Sequence, residues 1–299
     1  MKLLIIGSKG FIGQHLLDFY RQQIDKDVWG CDVNADFEDS KYILMDNSNS
    51  DFESVFRNNY FDACINCSGA ASVPESLKNP SRDFYLNTFN VFNLLNNIRI
   101  FSPSCKFLNL SSAAVYGNPT TLPISENASL DPMSPYGYHK VMAENICKEF
   151  KEFYKIEACT VRIFSAYGNS LKKQLFWDVY KKSKDSNCME FFGTGKETRD
   201  FIHISDVVQA IDLILQNSSF DVDCYNIANG KEIEIKTAIE HLLKHLGWQG
   251  EFKFNNHNRE GDPLYWCADI SKIKKLGYAQ KVKIEDGLKD YSEWLKELD

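Results

Sequence analysis

Nowhere in its 299 residues does the chain hold an apolar run approaching the ~20 residues that a membrane-spanning helix needs. It has no excess of positive charge either. The 34 Lys and Arg against 41 Asp and Glu leave a net charge of −7, which argues against a nucleic-acid surface or an anionic membrane as partner. Internal repeats, low-complexity tracts and linkers rich in Pro, Gly and Ser are all missing, so any second domain is folded onto the first. The nine cysteines are odd in number and scattered through apolar segments, which suits reduced, buried thiols better than a disulfide framework. Cys64 and Cys67 have the spacing of a redox or zinc pair, yet they lie in the strand-like run Ala63 to Cys67 with no second pair and no nearby His. His139 and His203 have no metal-ligand partners at useful spacing, and no metal is expected. The first residues, Leu3 to Ile6, already read as a buried strand without the length or cleavage site of a secretory signal, so a cytoplasmic protein is expected.

What the chain does have begins at that strand. Gly7-Ser8-Lys9-Gly10-Phe11-Ile12-Gly13 follows it and opens onto the helical pattern Leu16, Leu17, Phe19, Tyr20. In such a strand, turn and helix, Gly7 permits the turn and Gly10 lets backbone approach a pyrophosphate. Gly13 lets helix and strand pack closely, with the helix N-terminus facing the anion. Asp32 ends the next apolar segment, Val28 to Cys31, where a carboxylate can accept hydrogen bonds from an adenosine ribose. It would repel a 2′-phosphate, and Val33, Asn34 and Ala35 supply no cation to receive one, which favours NAD over NADP.

Tyr136 and Lys140 stand four apart in a second helical pattern and share one face, so an ammonium can lie beside a phenol and lower its pKa. Such a phenol can take a proton from a substrate hydroxyl, and Ser112, from a separate strand, can hydrogen-bond the same oxygen. Strand-like runs near residues 2–6, 28–31, 62–67, 106–111 and 157–164 alternate with helical patterns. Two of these helices are expected over residues 83–100 and 134–154, with Tyr138, Val141, Met142, Ile146, Phe150 and Phe153 forming a core stripe on the second. The expected fold class is α/β, a Rossmann-like doubly wound parallel sheet with ligands at the carboxyl ends of its strands. Residues 1–165 would form the dinucleotide-binding domain. Residues 166–299 would form mainly a smaller, discontinuous α/β substrate lobe, with about 201–230 returning to the first domain.

Together these motifs resemble the extended short-chain dehydrogenase/reductase family, in its NAD-dependent nucleotide-sugar epimerase/dehydratase branch typified by UDP-glucose 4-epimerases. The resemblance spans almost the whole chain. It is carried by the glycine motif, Asp32, Asp46-Asn47, Asn66 to Ala71, Asn87, Ser111 to Gly117, Tyr136 with Lys140, Val161 to Gly168, Phe192 to Gly195 leading to Arg199-Asp200-Phe201, and Arg259 to Asp262. It implies that Gly7, Gly10, Phe11, Ile12, Gly13, Asp32, Asp46, Asn47, Ser68, Gly69, Ala70, Asn87, Ser111 and Phe164 meet NAD. It further implies that Ser112, Tyr136 and Lys140 carry catalysis and that Ser165, Arg199 and Arg259 contact a nucleotide sugar. A structural ion pair between Arg199 and Asp200 is the alternative for that arginine, and Arg162 reads as structural.

The departures from the family pattern are as informative as the matches. Where the family's dehydratases carry an acidic pair after the Ser/Thr, this chain has Ala113 and Ala114, so elimination and decarboxylation lose their acid/base groups. The expected activity is therefore NAD-dependent 4-epimerisation of a nucleotide sugar, with a UDP-sugar favoured. A nucleotide-4-keto-6-deoxysugar reductase or a non-catalytic cofactor-binding scaffold are the alternatives. His139 stands where a small residue usually precedes the lysine, and Ser165 where many 4-epimerases have Asn. Lys172, Lys173, Lys181, Lys182 and Lys184 read as a solvated helix face, or alternatively as an entrance for the diphosphate. The resemblance also implies a homodimer and a place in polysaccharide biosynthesis.

Overall fold

The computed structural model describes residues 1–46, 50–257, 259 and 261–298. Its centre is a sheet of β1 (Lys2–Ile6), β2 (Asp27–Asp32), β3 (Tyr42–Leu44), β4 (Ala63–Asn66), β5 (Lys106–Ser112), β6 (Ala158–Ile163) and the strand Asp221–Ile227. Their order across the sheet is Asp221–Ile227, β6, β5, β4, β1, β2, β3, and every pairing is parallel. The central strands read as near-continuous apolar runs because helices cover both faces. The order reverses at β1 and β4, so the carboxyl ends of these two strands open a crevice for a ligand.

Helices α1 (Phe11–Arg21), α2 (Phe52–Arg57), α3 (Val73–Lys78), α4 (Pro80–Phe84), α5 (Asn90–Phe101) and α6 (Pro135–Tyr154) follow the first five strands. One core cluster, around Leu3, Ile5, Leu16 and Ile211, lies on one face of the sheet. Another, around Leu4, Cys64, Leu94 and Phe107, lies on the other, as period-two alternation along the strands requires. A third cluster, including Phe176, Leu242, Leu288 and Tyr291, gives the C-terminal segments a core of their own.

Two expectations needed correction. The helix anticipated over 83–100 is interrupted: α4 gives way to a π-helical segment, Tyr85–Phe89, before α5 resumes. Nor is the apolar stripe of α6 all core: Phe150 is buried and Val141 and Ile146 pack against the core, but Tyr138, Met142 and Phe153 are exposed, while Tyr136, Lys140, Ala143, Glu144 and Cys147 face inward. The helix buries Tyr136, Lys140 and Glu144 and leaves several of its large apolar side chains in solvent. All nine cysteines are free thiols.

Candidate active site

The glycine loop is built as its spacing requires. Gly7 sits at φ +77°, and a Cβ there would come within 2.8 Å of the Ser68 backbone; a Cβ on Gly13 would clash with the Gly7 carbonyl. Helix α1 starts with Gly10 as N-cap, with no side-chain cap and no acidic residue in its first turn, so its N-terminal amides can face an anion. Phe11 and Ile12 are partly buried, their side chains packed against the core. Asp32 accepts from Lys9 N at 2.9 Å and from Val33 N at 2.8 Å, which ties the loop to the end of β2 and keeps acceptor capacity on Oδ2. Lys9 puts a cation into this loop, but its ammonium is paired with Asp36. Asp46 lies exposed just past β3, and Asn47 lies outside the described residues.

Across the crevice, Ser68 donates to Asn66 Oδ1 at 2.6 Å, and Asn66 in turn donates to Asn109 on β5. A Cβ on Gly69 would collide with Asn87 Oδ1 and would lie 3.5 Å from Lys140 Nζ, so Gly69, Asn87 and Lys140 meet at one point. Asn87 is fully buried, yet neither atom of its amide has a hydrogen-bond partner. An orphaned buried amide costs about 1–3 kcal/mol, and the π segment that aims it is the kind of helix irregularity found at functional sites. A fixed ligand in this crevice would satisfy it. The loop, the bare helix terminus, Asp32 and Asn87 fit a dinucleotide.

Helix α6 begins with Ser134 accepting from Gly137 N at 3.2 Å and Pro135 in its first turn. Ser112 ends β5 and caps the tight turn Ala113–Tyr116 through Ala114 N. Gly137 lets these two starts touch, since a Cβ there would stand 2.7 Å from the Ala114 carbonyl. That contact brings Tyr136 to Ser112, whose hydroxyl hydrogen-bonds the phenol. Lys140, one turn on, donates to the Leu110 carbonyl at 3.0 Å and stands 5.9 Å from the Tyr136 ring centroid.

The electrostatics differ from what spacing alone suggested. Burial pushes the Tyr136 phenol up to about 12, with the Ser112 bond partly offsetting it and Asp83 adding to the rise. Burial pushes Lys140 down to about 8, opposed by Asp83 and Glu144. Lys140 therefore does not depress the phenol in this chain by itself, because desolvation dominates and the ammonium is turned to Leu110.

A cavity of about 660 Å³ opens over Ser112 and Tyr136, bounded by Phe164, Ser165, Arg199, Arg259 and Trp266. Ser111 is not among these residues: its hydroxyl donates to Glu144 at 2.7 Å, inside the buried Arg162–Glu144 pair. Phe164 packs its ring against Trp266 on the cavity wall. Arg199 is not paired with Asp200, whose carboxylate instead accepts from Asn229 N, Gly230 N and Ala268 N. The Arg199 guanidinium lies over Trp266 and that of Arg259 over Phe192, so both cations are held at the cavity by aromatic faces. Lys172, Lys173, Lys181 and Lys182 also border it, with Lys182 paired to Asp178. Sequence reasoning missed the pairing of His139 with Asp83 and that of Lys9 with Asp36, for neither pair has a fixed spacing.

A family model described as GDP-mannose 4,6 dehydratase matches residues 4–291. The chain belongs to that family. It is an extended short-chain dehydrogenase/reductase of the nucleotide-sugar epimerase/dehydratase branch. A putative UDP-glucose 4-epimerase of Methanocaldococcus jannaschii is 27% identical over 307 residues, covering 98% of each chain. A UDP-glucuronate 4-epimerase of Thermodesulfobacterium geofontis is 27% identical over 315 residues, covering 98% of this chain and 96% of the relative. Among solved structures, UDP-glucuronic acid 4-epimerase from Bacillus cereus, in complex with UDP-glucuronic acid and NAD, superposes with a TM-score of 0.91. It is 25% identical, and the match covers 100% of both chains.

Proposed function

We propose that this chain is an NAD-dependent nucleotide-sugar 4-epimerase, acting on a UDP-sugar. The observation that carries the reading is the pairing of Ser112 and Tyr136 at the cavity with no acidic side chain following Ser112: Ala113 is buried and Ala114 lines the cavity. Among the described residues, the acids lining it are Asp178, Glu197 and Asp262. Glu197 is spent on the amides of Thr194 and Gly195, and Asp262 lies in the field of Arg199 and Arg259. The family's dehydratase name thus does not describe the chemistry these residues support.

When bound, NAD⁺ supplies a hydride acceptor and a fixed positive charge of the sign that lowers a neighbouring phenol's pKa. Tyr136 then takes the proton from the C4 hydroxyl, held by Ser112, as hydride leaves C4 and a 4-keto sugar forms. In this reading Lys140, which stands near Gly69 and Asn87, holds a ribose. Arg199 and Arg259 hold the diphosphate. Within about 660 Å³ the keto sugar can present its other face, and Tyr136 returns the proton as C4 is reduced.

In this reading residues 1–165 carry NAD and residues 166–299 mainly the substrate, and the protein works in the cytoplasm. Exposed Phe89, Phe92 and Ile100 on or beside α5, with Tyr138 and Met142 on the adjoining α6, support a two-fold homodimer through these helices. The test is incubation of purified protein with UDP-glucose, UDP-N-acetylglucosamine and UDP-glucuronate. A C4 epimer without net change in nicotinamide absorbance supports the proposal. No epimer from any of them, with stoichiometric NADH loss on a nucleotide 4-keto-6-deoxysugar, would make the protein a reductase.

A further inference from the structure

Next to the Tyr136–Lys140 pair, and not lining the cavity, lies a second buried pair. Asp83, from the short helix α4, is 3% exposed, and its Oδ1 meets His139 Nδ1 at 2.6 Å. Its other oxygen, Oδ2, is buried without a hydrogen-bond partner. His139 stands between Tyr136 and Lys140 in sequence on α6. Its ring is covered edge-on by Phe84, and its carbonyl accepts from Thr88 in the π segment that carries Asn87. A carboxylate with a free oxygen, held in a dry site by an imidazole, keeps much of its field.

We infer that Asp83, clamped by His139, is a positioning residue that sets the protonation of the Tyr136–Lys140 pair. The inference rests on the reading of Tyr136 as proton acceptor. The groups bearing on the pair are Asp83 from α4, Cys67 after β4, Ser112 from β5, and His139 and Glu144 from α6. Cys67 is held neutral, since burial raises its thiol far above the ordinary range, and Glu144 is neutralised by the Arg162 fork. Asp83 is the anion no guanidinium cancels. It raises both Tyr136 and Lys140, opposing the burial that disfavours the lysine's charge and adding to the burial that disfavours ionisation of the phenol.

The test is the Asp83→Asn variant of the NAD-loaded protein, read two ways. Ultraviolet difference titration of tyrosinate against the matching Tyr136→Phe protein needs no turnover; it should show Tyr136 ionising about 0.5–1 pH unit lower in Asp83→Asn. If the wild type epimerises, both limbs of its pH profile of kcat/KM should move to lower pH by a similar amount. His139→Gln, which keeps a donor for the carboxylate, should leave both within about 0.2 unit. Asp83→Ala, expected to shift the titration as Asp83→Asn does, serves if the asparagine variant fails to fold. A folded Asp83 variant whose Tyr136 titration is unmoved overturns the inference, as does a His139→Gln shift equal to that of Asp83→Asn. Absence of epimerase activity in the wild type would sink the functional reading alone, because the titration still decides the role of Asp83.

Discussion

Replacing Arg162 by Met should destabilise the protein by about 3–4 kcal/mol at neutral pH. The guanidinium, on β6, donates from Nε and NH2 to the two Glu144 oxygens at 3.0 and 2.7 Å, and from NH1 to Tyr116 Oη and the Glu126 carbonyl. Tyr116 passes the network to Asn226, and Ser111 joins it from β5, so one cluster fixes β5, β6, α6 and the strand Asp221–Ile227. Burial works against the guanidinium's charge, but Glu144 outweighs it and holds Arg162 above its ordinary value. Without Arg162, a carboxylate 3% exposed keeps only the Ser111 bond. It would be cheaper for such a group to bind a proton. A carboxyl with an ordinary value near 4.3, held protonated at pH 7, lies about 2.7 units from equilibrium at 1.36 kcal/mol per unit, or about 3.7 kcal/mol. That figure falls within the range of about 3–5 kcal/mol for breaking buried ion pairs. The sign follows: the variant's folded state binds a proton the unfolded state lacks, so its deficit shrinks as pH falls and at pH 5 is only about 1 kcal/mol. Urea unfolding at both pH values measures this, and Arg162→Met with Glu144→Gln should be less destabilised than Arg162→Met alone. The exposed Arg57–Glu53 pair is the control, with Arg57→Met changing stability by no more than about 0.5 kcal/mol. A pH-independent loss, or one below about 1 kcal/mol, would refute the reasoning.

Tyr136→Phe should lower kcat by about 10²–10⁴-fold while leaving bound NAD, measured on the purified protein, unchanged. Gly13→Ala places a methyl against the Gly7 carbonyl; the expected outcome is a loss of about 1–3 kcal/mol in unfolding assays and depletion of co-purified NAD. Arg199→Gln should raise KM for a UDP-sugar roughly tenfold or more with kcat little changed, as steady-state kinetics would show, because charge-assisted bonds to phosphate are made equally in ground and transition states.

The parallel sheet and the glycine loop were legible because both depend on local rules: apolar runs of strand length, and a turn in which Gly7 and Gly13 leave no room for a Cβ. Tyr136 and Lys140 were legible as a pair because helix geometry fixes their relative direction. What surrounds them was not. Tyr138, Met142 and Phe153 belong to the same helical stripe as the buried Phe150, and only tertiary packing shows that α6 leaves these three outside while burying Lys140 and Glu144. The π segment at Asn87 leaves no mark in the apolar pattern, which runs through it. The rise of the Tyr136 phenol, the attachment of Ser111 to Glu144 and the meeting of Asp83 with His139 all depend on burial or on contacts distant in sequence, neither of which spacing encodes.

In the proposed reaction hydride leaves C4 and returns to C4 within one binding event. A UDP-sugar deuterated at C4 tests it most directly, with mass and NMR analysis of the 4-epimer formed by NAD-loaded protein. The epimer should keep its deuterium at C4, and none should enter from deuterated water. An epimer that has lost the label, or a label recovered in free nicotinamide cofactor, would contradict it.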